Sequence, residues 1–451
     1  MVNATKKIRI GSGAGYGGDR LEPALTLLEH GKLDYIGFEC LAERTIALAQ
    51  KEKQHDTSRG YNPLLEYRME KVLPLAYKNK VKVITNMGAA NPKSAMQVVG
   101  NMATDLGLTG MKIAAVLGDD IFPAIDQYLD YPILETGEPL SSLSGKILSA
   151  NAYLGIQPIV QALDEGADII ITGRVADPAL FLAPLLYEFG WSLTDYDKLG
   201  KGTLLGHLLE CAGQISGGYF ADPDKKDVPD LWDLGFPYAE VDASGEGFIS
   251  KVEGTGGLIS PATCTEQLLY EIHDPARYLT PDCVADFSKV MFSDASKNKV
   301  AFQGATGTTA TNTYKVSVGY QNGYFGGGEI SYGGPNCVER VRLAAEVVRR
   351  RLEMQQIDAE DLRFDLIGIN SVSPLQTSST VEVSEVRLRV AGRTQNRADA
   401  QKIANEVEAL YTNGPAGGGG ATKLVEEVIS VASILVPKAA ISTNVIYQQI
   451  Q

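Results

Sequence analysis

Apolar and polar positions along the chain follow two periods. Short apolar runs at residues 8–10, 35–38, 81–84, 113–117 and 169–171 have strand length. Between them, residues 64–77, 93–106 and 156–165 place apolar side chains at helical spacing. Short β-rich runs alternating with longer helices predict βα units and a mostly parallel sheet buried on both faces. Gly31, Gly107, Gly166 and Gly190 stand where helix C-caps are expected. Residues 1–225 therefore read as an α/β domain with its ligand site at the carboxyl ends of the strands.

The pattern changes between residues 191 and 233, where a polar segment at 222–230 suggests a domain transition. Residues 226–451 read as an α+β domain. Ser260-Pro261 opens a helix with serine as its cap. Strands at 314–320 and 328–332 are expected to form a hairpin around Gln321-Asn322-Gly323. An arginine-rich amphipathic helix at 338–354, strands at 364–369 and 386–390, and a helix at 397–411 follow. The arginine face reads as solvated or as an interface, and a homo-oligomer is expected.

Each early strand runs into a polar cluster. The first is glycine-rich: Gly11, Gly13, Gly15, Gly17 and Gly18, then Asp19 and Arg20 ahead of a helical pattern. A strand, a glycine turn and a helix N-terminus predict an anion cradle. The others are Glu39, Cys40, Glu43 and Arg44; Thr85, Asn86 and Asn91; Asp119 and Asp120; and Thr172, Arg174 and Asp177. Five such loops would converge at one sheet edge. Asn91-Pro92 and Asp177-Pro178 also read as ordinary helix caps. Thr85, Asn86 and Arg174 have no capping role to explain them. A second glycine run at 413–420, with Gly417, Gly418 and Gly419, reads as an anion nest or as a hinge over the first site.

The chemistry these residues offer is acid–base rather than metal-centred. The four histidines, at 30, 55, 207 and 273, show no ligand spacing. His30 suits a last helical turn, while His207 and His273 are open to general-base or structural roles. An oxygen-only Mg²⁺ site at Asp119 and Asp120 is open, although neighbours on a strand face opposite ways. Glu39 and Glu43 are the acid/base candidates, with the Asp119–Asp120 pair beside them and Arg44 and Arg174 as anion partners. Cys40 reads as a nucleophile or as packing. Gly13, Gly15 and Gly18 formally match a dinucleotide fingerprint with Glu39 behind them, which makes an NAD(P) oxidoreductase a third reading.

A formal charge of −14 over 451 residues disfavours nucleic acid and anionic membranes as partners. Five widely spaced cysteines read as reduced thiols. No apolar run approaches the roughly 20 residues that span a bilayer. The first seven residues lead into no signal-peptide pattern, so a cytoplasmic location is expected.

Several stretches resemble the acyclic terpene utilisation protein A family, formerly a domain of unknown function. They are residues 13–20, 38–45, 85–92, 172–178, 260–267 and 412–420. The resemblance implies a place in the catabolism of carboxylic acids through acyl-CoA intermediates, without a reaction or a residue list. Together with the loops it leads to an expected enzyme of lyase, hydratase or isomerase type. That enzyme would move a proton next to the carbonyl of a small carboxylate or a CoA thioester. The alternative expectation is a non-catalytic acyl-CoA-binding or scaffold subunit.

Overall fold

The computed structural model describes residues 6–372 and 383–451. Residues 1–5, part of the N-terminal segment read above, lie outside the described residues. The chain divides into two compact units, Met1–Gly319 with Val431–Gln451, and Tyr320–Ser430. The expected boundary at 225/226 lies inside the first unit. The residues after it return to the first strand rather than starting a new body.

In chain order the strands are β1 (Lys7–Ala14), β2 (Tyr35–Phe38), β3 (Lys82–Thr85), β4 (Lys112–Leu117), β5 (Ile147–Ala152), β6 (Ile169–Ile171), β7 (Pro237–Asp242) and β8 (Gly247–Lys251). They continue as β9 (Tyr278–Leu279), β10 (Val284–Asp286), β11 (Met291–Ser296), β12 (Lys299–Gln303) and β13 (Thr306–Thr308). The last are β14 (Thr313–Gly333), β15 (Glu360–Ile367), β16 (Glu385–Thr394), β17 (Gly418–Pro437) and β18 (Asn444–Gln449). The helices that matter below are α1 (Glu22–His30), α2 (Glu43–His55), α3 (Leu65–Asn79), α4 (Pro92–Asp105), α5 (Gln157–Asp164), α6 (Ala179–Phe189), α7 (Tyr196–Leu209), α8 (Pro261–Leu269), α9 (Cys337–Met354) and α10 (Arg397–Glu408).

Ten strands form the main sheet, in the order β11-β12-β8-β7-β1-β2-β3-β6-β4-β18. Its centre, β1-β2-β3-β6-β4, is parallel. Both flanks are antiparallel, with β7, β8, β12 and β11 beyond β1 and β18 beyond β4. The sheet is thus mixed, which corrects the mostly parallel expectation. The parallel strands are the ones buried on both faces, and β2 and β6 expose no residue. β6 inserts between β3 and β4, so the loops leaving β1, β2, β3, β6 and β4 emerge side by side.

β1 is longer than its apolar run implies, because Gly11 and Gly13 continue it. A Cβ at Gly11 would come within 2.6 Å of Leu33, and one at Gly13 within 2.5 Å of Phe38. The register with β2 shifts between Ser12 and Ala14, a bulge that glycine accommodates. These glycines buy close packing of strand on strand.

The second unit lays α9 and α10 on the sheet β15-β16-β14-β17. Val341, Ala344, Val348 and Leu352 of α9 meet Ile403 and Val407 of α10 over Ile330, Leu388 and Val390. The expected hairpin at 321–323 is absent, and β14 runs straight through it. A type I′ turn needs positive φ at both central residues, and only Gly323 has it. Residues 324–333 instead pair continuously with β16. The arginines of α9 have partners within this unit: Arg340 on the Ala416 and Gly333 carbonyls, Arg342 on Glu339, Arg350 on Glu346, and Arg351 on Glu406. Arg349 lies over the Phe364 ring.

Candidate active site

The polar loops converge as expected, but most of their side chains brace one another. Asn86, just beyond β3, spans two loops: its Nδ2 donates to Glu39 Oε1 at 2.9 Å, and its Oδ1 accepts the Cys40 N–H at 2.7 Å. The Leu41 N–H donates to the same Glu39 oxygen at 3.0 Å. Thr85 Oγ1 donates to the Phe38 carbonyl at 3.1 Å and accepts from the Met87 N–H. Thr172 Oγ1 donates to the Gly173 carbonyl at 2.9 Å. Asn86 thereby holds the Glu39 carboxyl group, while Thr85 and Thr172 tie the backbone at their strand ends.

Arg174, 1% exposed, is the buried cation of the cluster. Its Nε donates to the Val175 carbonyl at 2.9 Å, and its two terminal nitrogens reach the Leu41 carbonyl and the Asp177 carboxylate. Its guanidinium stacks 4.4 Å from the centre of the Tyr153 ring. Asp119 holds the Arg174 backbone N–H at 2.9 Å and the Asn151 amide at 2.9 Å. Asp177 does not cap α6, whose N-cap is Pro178, because its carboxylate turns to Arg174. Asn91 does cap α4, accepting the Ser94 N–H at 3.3 Å.

Burial and charge separate the carboxyl groups. Burial pushes Glu39 up, the Arg174 charge, the Leu41 N–H and the Asn86 amide pull it down, and Glu210 pushes it up again, leaving it at about 7. Asp119 is pushed up to about 6, burial outweighing the Arg174 N–H and the Asn151 amide. Glu43 goes the other way. Burial raises it, but the Tyr153 hydroxyl, a backbone N–H and the charges of Arg174 and Lys315 together bring it below its ordinary value. A proton near neutral pH therefore belongs to Glu39 rather than to Glu43.

A cavity of about 350 Å³ opens beside this cluster. Asp177, Tyr153, Lys315 and Tyr278 give it a polar wall, and Leu134, Leu279, Leu435 and Pro281 an apolar one. The Tyr153 hydroxyl donates to Glu43, and Lys315 Nζ sits 3.5 Å from the same carboxylate. A larger hollow of about 520 Å³ lies at the opposite, amino ends of the strands, around Lys82, Met111 and Asp168. Ligands of parallel α/β sheets bind at the carboxyl ends, where the titratable cluster also is, so the smaller cavity is the candidate site.

Several expected site residues have other work. The Gly15 N–H is taken by the Asp19 carboxylate at 2.9 Å, so that carboxylate fills the expected anion cradle itself. Gly17 and Gly18 form the turn around it, and Arg20 donates to the Trp232 carbonyl at 3.2 Å. α1 begins only at Glu22, which puts an acid in its first turn. The glycines thus do not open the helix as a dinucleotide fingerprint requires, and the NAD(P) reading loses its support. Cys40 is buried, receives Arg68 Nη1 at 2.8 Å, and burial pushes its thiol up to about 12. Burial outweighs the Arg68 charge that pulls it down, so the thiol stays protonated near neutral pH. Asp120 pairs with Lys53 at 3.2 Å and accepts the Phe122 N–H, while Asp119 is engaged as above. Among the described residues no three acidic, histidine or cysteine side chains are placed to hold a metal ion. Arg44 is exposed on the first turn of α2. Gly417, Gly418 and Gly419 belong to the second unit, where Gly418 and Gly419 begin β17.

Tyr153 and Lys315 are the site residues that sequence reasoning missed. Tyr153 follows β5, whose residues Ile147 to Ala152 lack a β-branched alternation, and Lys315 lies in β14 far along the chain.

The family model described as acyclic terpene utilisation family protein AtuA matches residues 8–447. The chain belongs to that family. The match spans every loop of the candidate site and residues of both units. No curated protein and no solved structure matches the chain. Among the described residues no helix is long and apolar enough to cross a membrane.

Proposed function

We propose that this member of the acyclic terpene utilisation family is an enzyme of carboxylic-acid or acyl-CoA catabolism. Its reaction is of lyase, hydratase or isomerase type and moves a proton next to a carbonyl. The observation that carries this reading is Glu39, a buried carboxyl group held at about 7 at the carboxyl edge of the parallel strands. Such a group donates and accepts protons near neutral pH. Lys315, which lines the cavity, supplies the charge for an anionic substrate or an enolate, while Arg174 turns three of its donors to the protein. The apolar wall suits an acyl chain. A cavity of about 350 Å³ takes an acid or an acyl end and leaves the nucleotide of a CoA ester outside.

Calorimetric titration with a panel of free acids and their CoA esters tests this. Binding of at least one is expected, and Lys315→Ala should weaken it about 10-fold, the equivalent of one lost charge contact of about 1.4 kcal/mol. Indifference of the unaltered protein to the whole panel would argue strongly against the reading. Glu39→Gln separates catalysis from a scaffold role. Turnover is lost with ligand and partner binding intact in the first case, and flux is unchanged in the second.

A further inference from the structure

A second titratable cluster sits at the end of α7. His207 is buried, with its ring packed 5.3 Å from Tyr278 and 6.0 Å from Phe287. Its Nε2 lies 3.1 Å from the Leu268 carbonyl and its Nδ1 2.6 Å from Glu210 Oε1. A carbonyl oxygen only accepts, so Nε2 carries a hydrogen, and a single further proton is shared between Nδ1 and Glu210. Burial favours neutral His207, but the Glu210 charge and hydrogen bond prevail and raise its pKa above the ordinary imidazole value. Gln267 of α8 locks the assembly, donating from Nε2 to the His207 carbonyl at 3.0 Å.

One oxygen is left over. Glu210 is 8% exposed, and its Oε2 is buried without a hydrogen-bond partner, as is Gln267 Oε1. A buried carboxylate oxygen with no donor is costly, and its persistence beside a fully bonded Oε1 needs a reason. A base that takes a proton from carbon needs such a free lone pair, because a donor bound to it would blunt its basicity.

The fold brings Glu210 near enough to Glu39 for its charge to raise the Glu39 pKa. The Glu39 N–H donates to the Ala14 carbonyl at 3.1 Å. The next residue, Gly15, packs on the Cys211 backbone so closely that a Cβ there would lie 2.4 Å from the Cys211 carbonyl carbon. Cys211 follows Glu210 directly. Only glycine at position 15 permits this approach, a function of the glycine run that anion binding did not explain. Glu39, Cys211 and Arg174 from the strand loops, Tyr278 of β9, and Glu271 after α8 are the titratable and charged groups around the His207–Glu210 pair.

We propose that Glu210 is the second acid/base group of the site, its Oε2 accepting the substrate proton while Glu39 supplies one, with His207 as its positioning residue. This rests on the reading that the protein moves a proton next to a carbonyl. In the step, the C–H bond beside the carbonyl breaks and its proton goes to Glu210 Oε2. The electron pair moves onto the carbonyl oxygen, which takes the Glu39 proton. Reversal after Glu210 has exchanged with solvent returns the starting compound carrying a solvent hydrogen, so no co-reactant is needed.

The test is wash-in of deuterium next to the carbonyl of hexanoate and hexanoyl-CoA, followed by proton NMR with the full chain in D₂O. Imidazole ¹⁵N spectra are recorded alongside. The unaltered protein should exchange at least one probe, and Glu210→Gln should slow exchange about 100-fold or more. Glu210→Asp keeps the charge but withdraws it, and should lose most exchange while retaining the His207 signal, which guards against a Gln variant that fails to fold. His207→Gln removes the group that holds Glu210 Oε1 and should lower the exchange rate while leaving probe binding unchanged, a kcat-against-KM split that a merely structural role would not give. The spectra should show both His207 nitrogens protonated at pH 6 and the signal lost in Glu210→Gln. Exchange by a folded Glu210→Gln at the unaltered rate, or a neutral His207 at pH 6, overturns the proposal while leaving the functional reading standing. An unaltered protein inert toward both probes overturns the functional reading and, with it, the role of Glu210.

Discussion

At Glu39 burial opposes three stabilising partners and prevails, and the consequence extends to stability. In the unfolded chain the carboxyl ionises near its ordinary 4.5, while in the folded protein it ionises only at about 7. Below 4.5 both states are protonated and the group is neutral toward folding. As pH rises from there, the unfolded state loses its proton first and folding is disfavoured progressively, until the penalty levels off above about 7. Glu39→Gln keeps an acceptor for the Leu41 N–H and cannot ionise. It should therefore leave stability nearly unchanged at pH 4 and raise it by about 2 kcal/mol at pH 8. Denaturant unfolding at the two pH values measures this, and an equal effect at both would mean Glu39 ionises normally. At the same scale, the sequence exposed Glu39, Asn86, Asp119 and Arg174 because each follows a legible strand. It did not expose their division of labour. Asn86 and Arg174 look like ligand residues until their hydrogen bonds are found to end on the protein's own carbonyls and carboxylates.

Elements were legible where one local signal governed them. The five parallel strands are short, apolar and doubly buried, so their runs stand out. Ser260-Pro261 opens α8 as read, with the Thr263 N–H donating to Ser260 Oγ at 3.3 Å and Thr263 Oγ1 accepting the Ser260 N–H at 3.0 Å. Losing the Ser260 Oγ half of that reciprocal cap by Ser260→Ala should cost about 1 kcal/mol in thermal or denaturant unfolding. Because α8 carries Gln267, the variant should also loosen His207, seen as broadening of its imidazole resonance. An unchanged unfolding midpoint would show that the helix start is set by Pro261 and packing alone. Where long-range pairing overrides local preference, reading failed. Gln321-Asn322-Gly323 has turn chemistry, yet ten successive residues after it pair with β16, and that ladder decides the conformation. β5 was missed for the converse reason, since its residues have weak strand preference and are fixed by position.

The whole molecule was legible as α/β but not in its partition, because the sheet gathers strands from distant parts of the chain. β7 and β8 return to β1, and β18 closes the other edge by pairing with β4 from Asn444↔Leu117 to Gln449↔Lys112. No composition shift marks such returns, so residues 226–319 read as a new domain when they complete the first. The edge strand has a consequence of its own. Without β18, the Ile113–Val116 stretch of β4, fully buried in the native fold, would present an open apolar edge with unpaired backbone groups. Gly100 of α4 would lose the Gln448 side chain packed against it, and Ile450, part of the main core, would be removed with the strand. Truncation after Thr443 should therefore lower stability by several kcal/mol, in line with the loss of two or three buried aliphatic side chains. It should also bring concentration-dependent aggregation, followed by light scattering during thermal unfolding. A truncated chain that unfolds at the full-length temperature and stays dispersed would mean that β18 only decorates the sheet, and that β4 is held by β6 and the helices alone.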